Sequence, residues 1–194
     1  MRKLNYTRCC VICHGLSELQ IAKYIKSKLH LNIETHSRDS GRSSIQITSL
    51  MSFLNTKEFL NVKKYSDERG IEYNKKKLIN FKLFIIMDTD DCTIKQKNDF
   101  LNKEMFKEHP LYEYIVPINN SPELETVLVK AGIMTKRIKT DEKGSYYIKT
   151  FPISSEPFSE ETRKEIISFR DKLINVKETN MEEFITYCLE LLDD

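Results

Sequence analysis

Two rhythms alternate along this chain, apolar runs of strand length and apolar stripes of helical period. The most regular run is Phe81-Lys82-Leu83-Phe84-Ile85-Ile86-Met87, which is long enough for a buried strand and too short for an ordinary helix. It halts at Asp88-Thr89-Asp90-Asp91. Upstream, Arg8-Cys9-Cys10-Val11-Ile12-Cys13 reads as a first strand broken by His14-Gly15. Leu19, Ile21, Ala22, Ile25 and Leu29 then recur at helical spacing, which predicts a helix over Leu16–Leu29 with Ser17 available as its cap.

Leu31–His36 alternates as a second strand, and a polar loop, Ser37–Ser44, leads into a predicted helix over Ile45–Leu54. The lysine-rich stretch through residue 77 is expected to be helical. Beyond the acidic turn the pattern predicts a helix over Thr93–Phe106, a strand over Tyr112–Ile118 and a helix over Leu124–Ile133. Ser121 and Pro122 stand at that last helix's N-cap and first-turn positions. Residues 134–152 have no clear rhythm: Asp141–Gly144 resembles a turn, and Tyr146–Phe151 fits a strand or an irregular connector. Two helices close the chain, Ser159–Val176 and Asn180–Leu192, the second with Asn180 and Glu183 at capping-box spacing.

Strands alternating with helices predict an α/β fold, a mainly parallel Rossmann-like sheet flanked by helices, with a helical appendage. The expected division is 1–133 for the α/β domain and 134–194 for a connector and C-terminal helices packing on it. No apolar run reaches bilayer-spanning length, and the N-terminus has no signal-peptide pattern, so a cytoplasmic protein with reduced cysteines is expected. At 40% hydrophobic and 31% charged, the composition supports a real core under a polar surface. The net charge of +2 conceals an asymmetry: residues from 150 onward carry −6 and the rest +8. A basic body suits a polyanion, and acidic C-terminal helices suit a protein contact.

Strand ends in open parallel sheets gather ligand-binding groups along one edge. That edge is expected to collect His14, Gly15 and Glu18, then Asp88, Asp90 and Asp91, then Asn119, Asn120, Glu123 and Glu125. Asp88 and Asp90 share a side if the chain stays extended, and oxygen ligands in this number suit Mg²⁺ or Mn²⁺ over zinc. The plainer reading is an acidic turn capping the next helix, but three crowded carboxylates exceed what a cap needs. Glu18 and Glu123 also fit first-turn glutamates favoured by the helix dipole, and Glu125 is expected to face solvent.

Arg38 and Arg42, with Ser43 and the helix that follows, can hold phosphate; a polar connector is the alternative. Lys63, Lys64, Lys75, Lys76 and Lys77 read as a solvated face. Tyr146 and Tyr147 beside Lys149 read as packing residues, with stacking on bases as the lesser alternative. Cys10-x-x-Cys13 falls inside a strand with no second ligand pair, with Cys92 the only nearby candidate, so core packing is expected over zinc.

Val11-Ile12-Cys13-His14-Gly15-Leu16-Ser17-Glu18 and Ile85-Ile86-Met87-Asp88-Thr89-Asp90-Asp91 together resemble the two motifs of the Toprim fold, a Glu-Gly turn after the first strand and an Asp-x-Asp turn after the third. The second glutamate, Glu18, and the segment Asn120-Ser121-Pro122-Glu123-Leu124-Glu125 are similar to the OLD-type and RloB-like Toprim nucleases. The resemblance spans roughly residues 8–131 and departs at one key position, where His14 replaces the first motif glutamate. It implies a metal-dependent nuclease for DNA or RNA, in antiviral defence or nucleic-acid processing. Asp88 and Asp90 are then the main ligands, Glu18 and Asp91 support them, and His14 serves proton transfer or a second ion. Arg38, Arg42, Ser43, Asn120 and Glu123 lie on the substrate side. Imidazole is a poorer Mg²⁺ ligand than carboxylate, so a domain that has lost catalysis and only binds nucleic acid or a partner stands as the alternative.

Overall fold

The computed structural model describes residues 6–136, 138, 143–151 and 159–192. It is an α/β protein built on a four-stranded, all-parallel sheet in the order β2-β1-β5-β6. β1 is Cys9–Cys13, β2 Ile33–His36, β5 Lys82–Asp88 and β6 Ile115–Asn120. A small antiparallel hairpin, β3 (Tyr73–Asn74) with β4 (Lys77–Leu78), lies outside it.

Alternation along the central strands divides the interior in two. Cys9, Val11, Cys13, Phe84, Ile86 and Ile118 face one core, shared with α1 (Leu16–Lys28), α5 (Leu124–Lys130), α6 (Lys143–Thr150), α7 (Glu160–Ile174) and α8 (Met181–Glu190). Cys10, Ile12, Leu83, Ile85 and Met87 face the other, covered by α2 (Ile47–Leu54), α3 (Val62–Arg69), α4 (Ile94–Leu101) and the turn at Glu104–Phe106. A strand buried on both faces reads as one continuous apolar run, and for this reason β5 is legible. Cys10 and Cys13 point into opposite cores as packing residues, and all five cysteines are free.

The structure departs from expectation where tertiary bonds outweigh local pattern. The stretch through residue 77 is not one helix: Gly70 takes the left-handed conformation that ends α3, and the hairpin follows, anchored by the Tyr114 hydroxyl on the Leu78 amide. Tyr112–Tyr114 is a single helical turn, and β6 starts later and runs on through Asn119 and Asn120. The Asn180 side chain supports this extension, accepting from the Asn119 amide and donating to the Pro117 carbonyl, so it does not close the capping box expected at α8. Residues 143–150 form α6 where a strand or connector was expected over Tyr146–Phe151, and the buried Phe151 ring stacks on the buried Tyr147 and packs against Tyr24 and Phe169. Asp141, Glu142, Pro152 and Pro157 lie outside the described residues. No helix of the described chain is long and apolar enough to cross a membrane.

The candidate metal site at the strand ends

The chain leaves β1 toward β2 on one side and returns on the other side as β5. β1 and β5 therefore flank the point where the strand order reverses, and in open parallel sheets a crevice forms there outside the carboxyl ends. Cys13 pairs with Ile86 in register, which brings His14 and Gly15 level with Met87 and Asp88.

His14 is fixed by backbone on three sides. Its amide donates to the Ile86 carbonyl at 2.9 Å, its carbonyl accepts from the Ile45 amide at 2.8 Å, and its Nδ1 donates to the Ile45 carbonyl at 3.0 Å. A carbonyl only accepts, so Nδ1 carries the proton and Nε2 is turned 3.9 Å from Oδ2 of Asp88. Gly15 starts α1 in extended conformation, and its amide donates to Oε2 of Glu18 at 2.9 Å. Glu18 thus does the capping that was expected of Ser17. The Ser17 hydroxyl instead turns inward and donates to Oε1 of Glu125 at 2.7 Å.

Asp88 ends β5 on the α1–α5 side of the sheet. Its Oδ1 accepts from the Leu124 amide at 3.0 Å and from the Asn120 side chain at 3.4 Å. The helix that begins at Leu124 therefore takes its cap from another strand. Ser121 and Pro122, expected as cap and first turn, stand before it in the cis Ser121–Pro122 segment.

Like charges crowd this point. Burial, together with the neighbouring Glu18 and Glu125 carboxylates, pushes Asp88 up to about 10, against the Leu124 amide that favours its anion. Burial also raises Glu18, opposed by His14 and the Gly15 amide. Asp91 is raised by burial too, again with His14 pulling the other way. Oε1 of Glu18 and both oxygens of Asp91 are buried without a hydrogen-bond partner. Unused acceptors beside carboxyls whose charge is disfavoured are a donor set for a hard cation, which would fill their lone pairs and favour their ionised forms. A metal-bound histidine ordinarily donates its other ring nitrogen to a carbonyl, as His14 does to Ile45. The five residues His14, Glu18, Asp88, Asp90 and Asp91 do not bring three ligand atoms within 4.8 Å of one another, so gripping one ion requires side-chain rotation.

The other expected site residues divide. Asp90 lies on the turn past β5 and is exposed, because the chain bends at Thr89, whose amide bonds the Asn120 and Pro122 carbonyls. Asp88 and Asp90 therefore do not alternate along one strand as the extended reading required. Arg38 and Arg42 are exposed and Ser43 is half-buried, donating to Asp39 at 2.6 Å. Asn120, expected on the substrate side, is fully buried and spends its amide on Asp88 and on the Thr179 hydroxyl; it positions Asp88. Glu123 holds the N-cap position of α5 and accepts from the Thr126 hydroxyl.

Glu125 corrects the expectation most sharply. It is 2% exposed and belongs to the buried cluster, accepting from Ser17 and, at 3.4 Å, from the Tyr147 hydroxyl of α6. The signal was present: Glu125 lies next to Leu124 and three residues before Leu128, inside the stripe that faces the core.

Among the described residues the grouping that does come within metal-ligand reach is Cys10, Glu34 and His36. A cationic group already sits there. Arg69, with a side chain 6% exposed, pairs with Glu34 at 3.1 Å and donates to Nε2 of His36 at 3.5 Å and to Glu58. Burial pushes the Cys10 thiol up to about 12, and burial plus Arg69 pull His36 down to about 4. An uncharged thiol and imidazole around a buried guanidinium make this a structural ion pair.

Comparison with family models, with curated proteins and with solved structures gives no match for this chain.

Proposed function

We propose that this protein is a phosphodiesterase acting on DNA or RNA, dependent on Mg²⁺ or Mn²⁺ held at the β1–β5 strand ends. One observation carries the reading: Oε1 of Glu18 is buried without a partner beside an Asp88 whose charge is strongly disfavoured, and both oxygens of Asp91, which shares His14 with Glu18, are buried without partners too. A cap or a structural turn does not require such a cluster; a hard cation does. The motif resemblance to Toprim nucleases falls on the same residues.

Asp88, Glu18 and Asp91 would hold the ion, with His14 joining through Nε2 or accepting a proton there. The ion, when bound, supplies Lewis-acid polarisation of the phosphodiester and neutralises developing charge. The protein's own part is orientation. The Leu124 amide and Asn120 aim Asp88, the Gly15 amide aims Glu18, and the Ile45 carbonyl keeps the proton on Nδ1 so that Nε2 faces the site. Arg38 and Arg42 offer charge for the substrate backbone, and exposed Asp90 stands at the rim.

His14 favours a second reading, a module that binds nucleic acid, or a partner through its acidic C-terminal helices, without cutting. Purified protein incubated with DNA and RNA in Mg²⁺, Mn²⁺ or EDTA separates the two. Cation-dependent cleavage lost in Asp88→Asn supports the enzyme. Retained binding with no cleavage in any ion supports the module.

A further inference from the structure

We propose that the cleft along the outer edge of β2 is a subsite for one unpaired base of a single-stranded nucleic acid. The choice of ligand rests on the phosphodiesterase reading above, and the cleft itself on geometry that the metal site does not share.

β2 is the edge strand beside β1, two strand spacings, or about 10 Å, from β5 and its carboxylates. A cavity of about 340 Å³ opens along this edge. That is near the lower limit of small-molecule sites and suits a single planar group. Its lining draws on opposite layers, Leu19 and Lys23 of α1 and Phe53 of α2, with Thr35 and His36 on the strand and Ser37 just past its end. Ser40 and Glu58 complete it.

This lining suits a base more than an apolar ligand. Thr35, Ser37 and Ser40 each present a hydroxyl that donates or accepts according to its partner, which is what the mixed edge of a nucleobase requires. Phe53 is half-buried and supplies a ring for stacking. Glu58 offers acceptors and is held by Arg69, whose one charge is shared with Glu34. Lys23 in the same lining supplies the second cation that offsets the pair of carboxylates. The bases of a duplex are locked in their stack and do not enter a cleft of this kind.

The loop that lends Ser40 to the cleft also carries receivers for the phosphates. Arg38 follows the strand by two residues, and Arg42 lies on the turn beyond it. Both are exposed, and among the described residues neither has an acidic side chain in ion-pair contact. The loop carrying the arginines is set against the start of α1 by close contact of Gly41 with Leu16, next to Gly15 and Glu18. A strand with one base in the cleft and its phosphate on these arginines would pass toward the carboxylates.

The test uses a short fluorescent single-stranded oligonucleotide in EDTA, intact and with an abasic site placed at each position in turn. Wild-type protein is expected to bind the intact strand ten-fold or more tightly than the strand abasic at one particular position. Phe53→Ala removes the stacking ring. Ser37→Tyr fills the cleft from its rim and spares the core if the first variant folds poorly. Either is expected to weaken the intact strand about ten-fold and leave the abasic strand unchanged. Equal binding of intact and abasic strands by the wild type overturns the proposal. So does equal weakening of both strands in Ser37→Tyr, or an equally tight duplex that shows the same loss. Hydrolysis of bis(4-nitrophenyl) phosphate in Mn²⁺ reports the metal centre separately and is expected to survive both substitutions. Base discrimination without any such hydrolysis in the wild type would sink the phosphodiesterase reading and leave the subsite standing.

Discussion

The Ser17 hydroxyl donates to Oε1 of Glu125 at 2.7 Å, joining the first turn of α1 to the first turn of α5 across 108 positions of sequence. The bond links the two helices that flank Asp88 and sets the carboxylate that most crowds it after Glu18. Ser17→Ala deletes a donor to a buried carboxyl, for which a loss of about 1–3 kcal/mol is expected. Ser17→Thr keeps the hydroxyl and should recover most of it. Urea unfolding of the three proteins checks this, and a neutral Ser17→Ala would mean that Glu125 is held mainly by other contacts.

Asp88→Asn is expected to trade activity for stability. The amide oxygen still accepts from Leu124, while the new nitrogen can face Nε2 of His14 without a charge. In wild-type protein the folded-state pKa lies near 10 against an ordinary 3.8. As pH rises above 3.8 the unfolded chain gives up this proton and the folded one keeps it, so folding loses stability progressively up to about pH 10. The variant escapes that loss. In EDTA near pH 8 it should melt at a higher temperature than the wild type, by an amount equivalent to roughly 1–3 kcal/mol. Added Mn²⁺ should raise the wild-type melting temperature and leave the variant's unmoved. A variant less stable in EDTA would contradict this crowding of charges.

Cation binding must compete with the same proton. A carboxyl raised to about 10 is protonated at neutral pH, and a metal takes only the anion. Affinity for Mg²⁺ or Mn²⁺ is therefore expected to rise with pH, by up to about ten-fold per unit if one proton is displaced. Calorimetry in buffers of different ionisation enthalpy measures the proton count directly. Affinity that is flat from pH 6 to 9, with no proton released, would place the ion away from Asp88.

Much of this arrangement can be read from the sequence, and the rest has a physical reason for being hidden. β5 shows because both of its faces are buried, and α1 shows because Leu19, Ala22 and Ile25 form a stripe. The acidic end of β5 shows because three carboxylates crowded after an apolar run exceed what a helix cap needs. Pairing across elements does not show. The cap of α5 comes from Asp88, the extension of β6 from Asn180, and the hydrogen bonds of the buried Glu125 from Ser17 and Tyr147, none of them a sequence neighbour. Local rules placed a cap on Ser121 because they weigh neighbours in sequence only. The hairpin after α3 is likewise too short to produce a periodicity.

The loop that carries the arginines depends on one glycine. Gly41 has φ of +86°, and a Cβ built there would stand 2.9 Å from Cα of Leu16 and 3.2 Å from its amide nitrogen. Both the conformation and the contact exclude a side chain, and the atoms met are backbone, which cannot rotate away. Gly41→Ala is expected to cost about 1–3 kcal/mol. It should also lift the 38–43 turn from the start of α1 and weaken polyanion binding several-fold. Gly70→Ala is the control, because its φ of +61° carries a similar backbone penalty while nothing stands within 4 Å of the added carbon. Heparin affinity and thermal melting of the two variants separate the effects. Equal loss of heparin binding in both would assign the effect to general destabilisation, and loss confined to Gly41→Ala would place Arg38 and Arg42 on the binding path.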